Sequence, residues 1–227
     1  MAKPGSKKQT GFKVKVTENG PYIATGGIPL SEQNICVDKE DQCHGWKEEK
    51  KFPDQETYAL CRCGGSHNKP YCDGTHLTSG FDGTETASHA TYAERANTTR
   101  GPHLLLDDVE DLCARARFCH RADGTWNLTE QSANPEARKT AIEEAGECPS
   151  GRLVARELNG KALEPALPPS IGLVHDTQKN KMGPLWLRGG IPVESAEGKP
   201  YEARNRVTLC RCGKSANKPF CDGSHLD

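Results

Sequence analysis

The sequence predicts an α+β fold, with two small β-rich units related by pseudo-two-fold symmetry and a small α+β middle domain between them. Three observations carry this prediction. A long segment occurs twice: "NGPYIATGGIPL" (Asn19 to Leu30) matches "MGPLWLRGGIPV" (Met182 to Val193), and each copy precedes the same cysteine–histidine pattern. Such a repeat lets one chain make the arrangement that a symmetric dimer makes from two. The 227 residues are only 34% hydrophobic and include 23 Gly and 15 Pro, which predicts many turns and several small cores, and small cores usually need a metal or a cross-link. The segment between the copies has a different character, with helical spacing over "NPEARKTAIEEAGECPSG".

The elements follow in order. Each repeat begins with a strand ("FKVKV" or "IGLVHD"), a Gly-Pro turn and a second strand ("YIAT" or "LWLRG"). A further strand ("ETYAL" or "RVTL") runs into the first cysteine, and a short helix follows the last one. The interval from Gly27 to Cys61 spans 34 positions, against 20 from Gly190 to Cys210. The excess holds Cys36, Cys43 and His44, which places an insertion at about 31–52. Two Cys and one His are one ligand short of a tetrahedral site, so these read as free thiols. In the middle, "LLLDDVEDLCARARFC" reads as helical toward its C-terminal part. "NPEARKTAIEEAGECPSG" reads as a helix with Asn134 as N-cap, Pro135 in the first turn and Pro149 as the stop, and "GRLVAREL" as a strand. The boundaries that result are 1–83 for the first unit, 84–157 for the middle domain and 158–227 for the second unit.

Composition narrows the function classes. Thirty Lys and Arg nearly cancel 31 Asp and Glu, so no charge excess calls for a nucleic-acid or membrane partner. The N-terminal "MAKPGSKKQTGFKVKV" is basic but lacks the apolar stretch of a signal peptide and the amphipathic pattern of a transit peptide. No apolar run approaches the roughly 18 residues of a membrane span. The expectation is a soluble, cytoplasmic protein, and in that reducing setting eleven cysteines suit metal ligation better than an odd-numbered disulfide framework. No Ser-His-Asp order, phosphate loop or paired-carboxylate site stands out, which points away from an enzyme.

The chemistry is concentrated in "CRCGGSHNKPYCDGTH" (Cys61 to His76) and "CRCGKSANKPFCDGSH" (Cys210 to His225). Both have the spacing Cys-x-Cys, eight residues, Cys, three residues, His. Cys-x-Cys can place two thiolates on one metal atom, and Cys72 with His76, or Cys221 with His225, sit four apart and can bind a second. Ser66 and Ser215 are candidates to donate hydrogen bonds to sulfur. Pro70 and Pro219 stiffen the loop, Gly74 and Gly223 allow close backbone approach, and Asp73 and Asp222 are candidate helix caps. Lys69 and Lys218 recur before the proline, where a positive charge favours a more anionic, reduced centre. His67 has Ala216 as its counterpart and reads as a solvated side chain. Three thiolates and one imidazole suit zinc as well as an iron–sulfur cluster.

The residues between the ligands sharpen this. Cys61-x-Cys63-x2-Ser66-x3-Pro70-x-Cys72-Asp73-Gly74-Thr75-His76 resembles the CDGSH iron–sulfur (mitoNEET-like) family, and the second motif resembles it equally. The resemblance covers two stretches of 16 residues, and the flanking strands fit less sharply. It implies one [2Fe–2S] cluster per motif, with Cys61 and Cys63 on one iron and Cys72 and His76 on the other. By the same match Cys210 and Cys212 hold one iron, and Cys221 and His225 the other. The chain departs from anchored members of the family in showing no membrane segment and in carrying both motifs itself, so a monomer with an internal pseudo-dimer is expected. Replacing one thiolate by neutral imidazole leaves a less negative centre, which raises its potential, and a protonatable ligand couples cluster retention to pH. The implied roles are electron transfer or redox and pH sensing with a redox protein partner, or cluster storage and transfer to an apo-protein. A zinc-stabilised interaction module is the remaining alternative.

Cys113, Cys119 and Cys148 remain. A ferredoxin binds a cubane cluster through Cys-x2-Cys-x2-Cys and a distant Cys-Pro. Here Cys113 and Cys119 occupy the outer positions, Ala116 stands where the second Cys is expected, and Cys148-Pro149 supplies the last. The segment resembles a divergent single-cluster ferredoxin domain. Three thiolates suit a [3Fe–4S] cluster, or a [4Fe–4S] cluster with a fourth ligand such as His120. A domain that kept the fold and lost the metal is the other reading.

Overall fold

The computed structural model describes residues 11–227, so the start of the basic stretch in which no targeting signal is read lies outside the described residues. The first repeat forms β1 (Lys13–Val16), β2 (Tyr22–Thr25), β3 (Leu30–Val37), β4 (Cys43–Lys51) and β5 (Thr57–Leu60). The middle segment forms α1 (Tyr92–Arg95), β6 (Asn97–Arg100), β7 (Leu105–Asp108), α2 (Thr125–Glu130), α3 (Pro135–Glu147) and β8 (Leu153–Arg156). The second repeat forms β9 (Ser170–Asp176), β10 (Lys181–Arg188), β11 (Val193–Glu194) and β12 (Arg206–Leu209).

Two mixed sheets, β11-β1-β2-β5 and β12-β10-β9-β3-β4, make the CDGSH-bearing body. Their connection is an exchange. After the shared Gly-Gly-Ile-Pro turn, each repeat sends its next strand to the other repeat's sheet: β11 pairs parallel with β1, and β3 pairs parallel with β9. The turn needs glycine, because Gly26, Gly27, Gly189 and Gly190 all have φ between 72° and 96°. The isoleucines that follow, Ile28 and Ile191, are buried in one cluster shared by both sheets, with Val14, Leu30, Leu185 and Val193. Each contributes about 1.5–3 kcal/mol by burial. Neither repeat therefore completes its sheet alone.

The insertion read at 31–52 is a β-hairpin, not a loop. Strand β4 pairs with β3 and forms the edge of the five-stranded sheet, and its sequence "CHGWKEEKK" carries the charge that protects an edge. Val37 opposes Cys43 in the register, so Cys36 and Cys43 point to opposite faces; both are free. Cys43 packs with Ile35, Val174, Trp186 and Phe118, and this cluster joins the five-stranded sheet to the middle domain.

The middle domain is a β6-β7-β8 antiparallel sheet packed on α2 and α3 through Leu104, Leu106, Leu128, Ala141 and Leu153. Helix α3 begins as its sequence predicts: the Asn134 side chain accepts from the Glu136 N–H at 2.9 Å, with Pro135 in the first turn. The helix expected toward the C-terminal part of "LLLDDVEDLCARARFC" does not form. Two single 3-10 turns, Glu110–Leu112 and Phe118–His120, stand there instead, and between them Arg115 (φ 53°) and Arg117 (φ 68°) take left-handed backbone that no helix can continue. Ahead of them β7 is held between β6 and β8, and Asp107 and Asp108 pair with Arg156 and Arg152 of β8, each at 2.6 Å. Among the described residues no helix is long and apolar enough to cross a membrane.

Glu144 of α3 is fully buried against Thr125, and burial pushes its carboxyl up to about 7, above the ordinary 4.5. The native state therefore binds more protons than the unfolded chain between those values, and stability falls as pH rises through them. Glu144→Gln is expected to remove that slope and to raise stability at pH 8 by on the order of 2 kcal/mol. Urea titrations at pH 5 and pH 8 check this; an unchanged pH slope contradicts it.

Candidate metal centres

Strands β5 and β12 deliver the first cysteine of each motif, and a backbone clasp closes the loop behind it. The Cys61 N–H donates to Pro70 O at 2.8 Å and the Cys72 N–H to Ala59 O at 2.7 Å; Cys210 and Cys221 repeat this with Pro219 O and Thr208 O at 2.8 and 2.9 Å. Lys69–Pro70 and Lys218–Pro219 are cis. The serines act within this closure rather than on sulfur. The Ser66 hydroxyl donates to Tyr71 O at 2.6 Å and the Ser215 hydroxyl to Phe220 O at 2.7 Å. It is the backbone N–H of Ser66 and of Ser215 that reaches the Cys61 and Cys210 sulfurs.

Asp73 accepts the Thr75 N–H, the Thr75 hydroxyl and the His67 N–H at 3.0, 2.7 and 2.8 Å, and Asp222 repeats the pattern with Ser224 and Ala216. The short helix expected after the last cysteine is one 3-10 turn, Thr75–Leu77 or Ser224–Leu226, entered through a left-handed glycine, Gly74 (φ 89°) or Gly223 (φ 90°). At Gly74 a Cβ would meet nothing, so conformation and not close approach demands glycine there. His67 is exposed, and the Lys69 ammonium donates to Ser66 O at 2.6 Å.

The donors come in pairs. Cys61 Sγ lies 3.9 Å from Cys63 Sγ, and Cys72 Sγ lies 3.4 Å from His76 Nδ1. In the second loop Cys210 and Cys212 sulfurs are 3.6 Å apart, and Cys221 Sγ is 3.5 Å from His225 Nδ1. Among the described residues no three His, Cys, Asp or Glu side chains gather as one ion would require. Backbone N–H groups of Gly65 and Gly223 point at Cys63 and Cys221 sulfur, both at 3.4 Å. Burial raises the Cys61 and Cys221 thiols, opposed at Cys61 by the Ser66 and Gly64 amides and at Cys221 by the Gly223 amide. The Cys212 thiol hydrogen-bonds Cys210 and helps hold that group down to about 6, while Cys212 itself is pushed up. Burial and the Arg211 guanidinium hold His225 down to about 4, which keeps its imidazole neutral.

The two loops touch. A Cβ on Gly64 would fall 2.7 Å from the Cys212 carbonyl, and one on Gly213 would fall 2.6 Å from the Cys63 carbonyl. The arginine inside each Cys-x-Cys anchors its own loop to the backbone behind it. Arg62 donates to Thr17 O and Gly83 O at 3.2 and 2.6 Å, and Arg211 donates to Gly183 O and Val174 O at 2.5 and 2.7 Å. Sequence reasoning missed both, although their identical placement between the cysteines was the available signal.

The sites are not equivalent. Tyr22, fully buried in the first repeat, donates to Cys210 O at 2.8 Å and lies 3.1 Å from Pro219 O. Its counterpart in the repeat is Leu185, which has no hydroxyl. Thr86 and Ala87 N–H groups donate to Lys218 O, the Thr86 hydroxyl to Ala216 O, and the Asn217 amide to Asp111 O. Cys221 is buried, whereas Cys72 is half-buried. Tyr22→Phe is expected to cost about 1–2 kcal/mol by removing a donor to a buried carbonyl, read as a lower urea midpoint; a change below a few tenths would show the bond to be dispensable.

In the middle domain, Cys119 is pushed up to about 12 by burial and then by Cys148 and Cys113, each of which lies within electrostatic reach of it. Cys148 Sγ lies 3.4 Å from Ser150 Oγ. His120 is exposed and Ala116 half-buried, so neither adds a buried donor to the three cysteines.

Comparison with known families matches residues 19–77 and 182–226 to the family described as "Iron-binding zinc finger CDGSH type". Residues 99–158 match the family described as "Divergent 4Fe-4S mono-cluster". No curated protein matches, and no solved structure matches. The chain is an iron–sulfur protein in which two CDGSH regions flank a divergent 4Fe–4S region.

Proposed function

We propose that the protein is a non-enzymatic one-electron carrier that holds a [2Fe–2S] cluster at each CDGSH loop through three cysteines and one histidine. The residues are Cys61, Cys63, Cys72 and His76 in the first loop, and Cys210, Cys212, Cys221 and His225 in the second. The pairing of donors carries this reading. Two donors at each end of a loop suit a two-iron core, and four converging on one point would suit a single tetrahedral zinc. When bound, such a cluster supplies one-electron chemistry at a potential raised by the imidazole ligand. The chain's residues do the rest. Backbone amides at positions 64–66 and 213–215 offset thiolate charge, Arg62 and Arg211 tether each loop to the backbone behind it, and burial keeps His225 neutral and able to ligate.

Cys113, Cys119 and Cys148 are proposed to hold a third centre, of [3Fe–4S] or [4Fe–4S] type, supported by the match of that region to a 4Fe–4S family. The partner is a redox protein that meets a monomer with an internal pseudo-dimer. Cluster transfer to an apo-protein is a second reading, favoured by the half-buried Cys63, Cys72 and His76 of the first loop.

Iron, zinc and acid-labile sulfide analysis with spin resonance tests the proposal. Near-equal iron and sulfide, four of the iron atoms in spectroscopically silent oxidised [2Fe–2S] centres, is expected. A colourless, zinc-loaded protein overturns it. Mixing with an apo-ferredoxin separates the two readings: clusters that stay put support the carrier, and clusters that move support transfer.

A further inference from the structure

The loop from Cys113 to Cys119 carries two non-glycine residues in the left-handed region, Arg115 (φ 53°) and Arg117 (φ 68°), on either side of Ala116. Such conformations persist where surrounding contacts impose them, and they mark places worth explaining. Here both guanidiniums leave the middle domain and engage the second CDGSH unit. Arg117 Nη1 donates to the buried Asp176 at 2.6 Å and Nη2 to Gln178 at 3.2 Å. Arg115 Nη1 donates to Asp227 at 2.8 Å. Its aliphatic stem covers Gly223, where a Cβ would fall 2.5 Å from Arg115 Cγ. Gly223 opens the turn that presents His225, and its N–H points at Cys221 sulfur.

An exposed ion pair such as Arg115–Asp227 contributes little by itself. The packing of the stem on Gly223 is different, because it covers the glycine that aims both donors. Among the described residues the first loop has no equivalent: a Cβ on Gly74 meets nothing within 4 Å, and Leu77 is 80% exposed.

We propose that Arg115, aimed by the strained Cys113–Cys119 loop and steadied by Arg117, is a positioning residue that holds the second CDGSH turn closed on its ligands. The middle domain thereby sets cluster retention at the Cys221–His225 site and leaves the Cys72–His76 site unaffected. This inference rests on the proposed [2Fe–2S] reading. It also gives the middle domain a role that does not depend on its own metal content, since the clasp is made by arginines and not by cysteines.

The test uses full-length protein in two backgrounds. Cys61→Ala with Cys72→Ala leaves only the second CDGSH site, and Cys210→Ala with Cys221→Ala leaves only the first; a variant lacking both provides the middle-domain baseline. Decay of visible absorbance into excess EDTA at pH 7.5 is followed in each. Arg115→Ala is expected to accelerate loss from the second site by about tenfold, the lower end of what supporting residues contribute to metal binding. It is expected to leave the first site unchanged, and Arg115→Lys, which keeps the stem, is expected to restore most of the retention. Equal acceleration at both sites, or none at the second, overturns the clasp. Iron in both single-site proteins no higher than in the variant lacking both overturns the [2Fe–2S] reading itself, which separates the two failures.

Discussion

Replacing Arg206 with alanine is expected to lower stability by about 3–5 kcal/mol, the range for breaking one side of a buried charged pair. Arg206 leaves β12 of the second CDGSH unit and ends inside the middle domain at 2% exposure. Its Nε and Nη2 meet the Glu164 carboxylate at 2.9 and 2.6 Å, and Nη1 donates to Ala145 O and Cys148 O at 2.5 and 2.7 Å, while Nη2 also reaches Leu153 O at 3.0 Å. Those carbonyls include the C-terminal end of α3, where a cation is favoured by both hydrogen bonding and the helix dipole. Removing the guanidinium leaves Ala145 O with the Cys148 N–H and Cys148 O with the Gly151 N–H, and leaves Glu164 with its charge offset by Asn205 and Arg204 alone.

A pH signature accompanies this. Burial works to raise the Glu164 carboxyl, yet Arg206 and Asn205 hold it below the usual range. Its stabilising share is present above the ordinary carboxyl value and is lost as pH falls through the depressed one. Arg206→Ala should flatten that acid limb in guanidinium titrations. Arg206→Lys should recover only part, because one ammonium cannot reproduce the fork. A loss below 1 kcal/mol in the alanine variant would mean the domains are held by something else.

His76→Cys and His225→Cys are expected to lower the reduction potential of the altered site by on the order of 200 mV, because an anionic ligand replaces a neutral one. The imidazole is the protonatable donor in each set, so the substituted site should also keep its cluster in acid. Potentiometric titration followed by visible absorbance, in each single variant, reads both effects. A potential that does not move in either would exclude these histidines as ligands. The sites should also differ before any substitution. Tyr22, Thr86, Asn217 and Arg115 all brace the second loop, and the first is expected to lose its cluster sooner.

What the sequence makes legible here is what its own neighbours determine. Asn134 and Pro135 start α3 through contacts two residues away, and the Cys72–His76 spacing brings donor beside donor within one turn. Partners distant in sequence are another matter. Nothing beside the Gly-Gly-Ile-Pro turn marks β3 or β11 as strands, still less says whose sheet they join. Ser66 reads as a sulfur donor because the carbonyl that captures its hydroxyl, on Tyr71, arrives only when the loop closes. Asp107 and Asp108 carry no mark of Arg156 and Arg152, the partners that tie β7 to β8 from 49 and 44 residues further along the chain. Arg115 lies 112 residues from Asp227, beyond any local pattern.

The exchanged strands bear on when the protein can be completed during synthesis. Val14 pairs with Val193, so the first sheet lacks an edge until the second unit is translated. Gly64 rests on Cys212, which arrives later still. At about 5–20 residues per second, the stretch from Val14 to Val193 takes roughly 10–40 s to synthesise. Until then Cys61, Cys63, Cys72 and His76 belong to a sheet with a free edge. The first site to be translated is finished only by the second unit, so the two loops are completed together and not in the order of their codons.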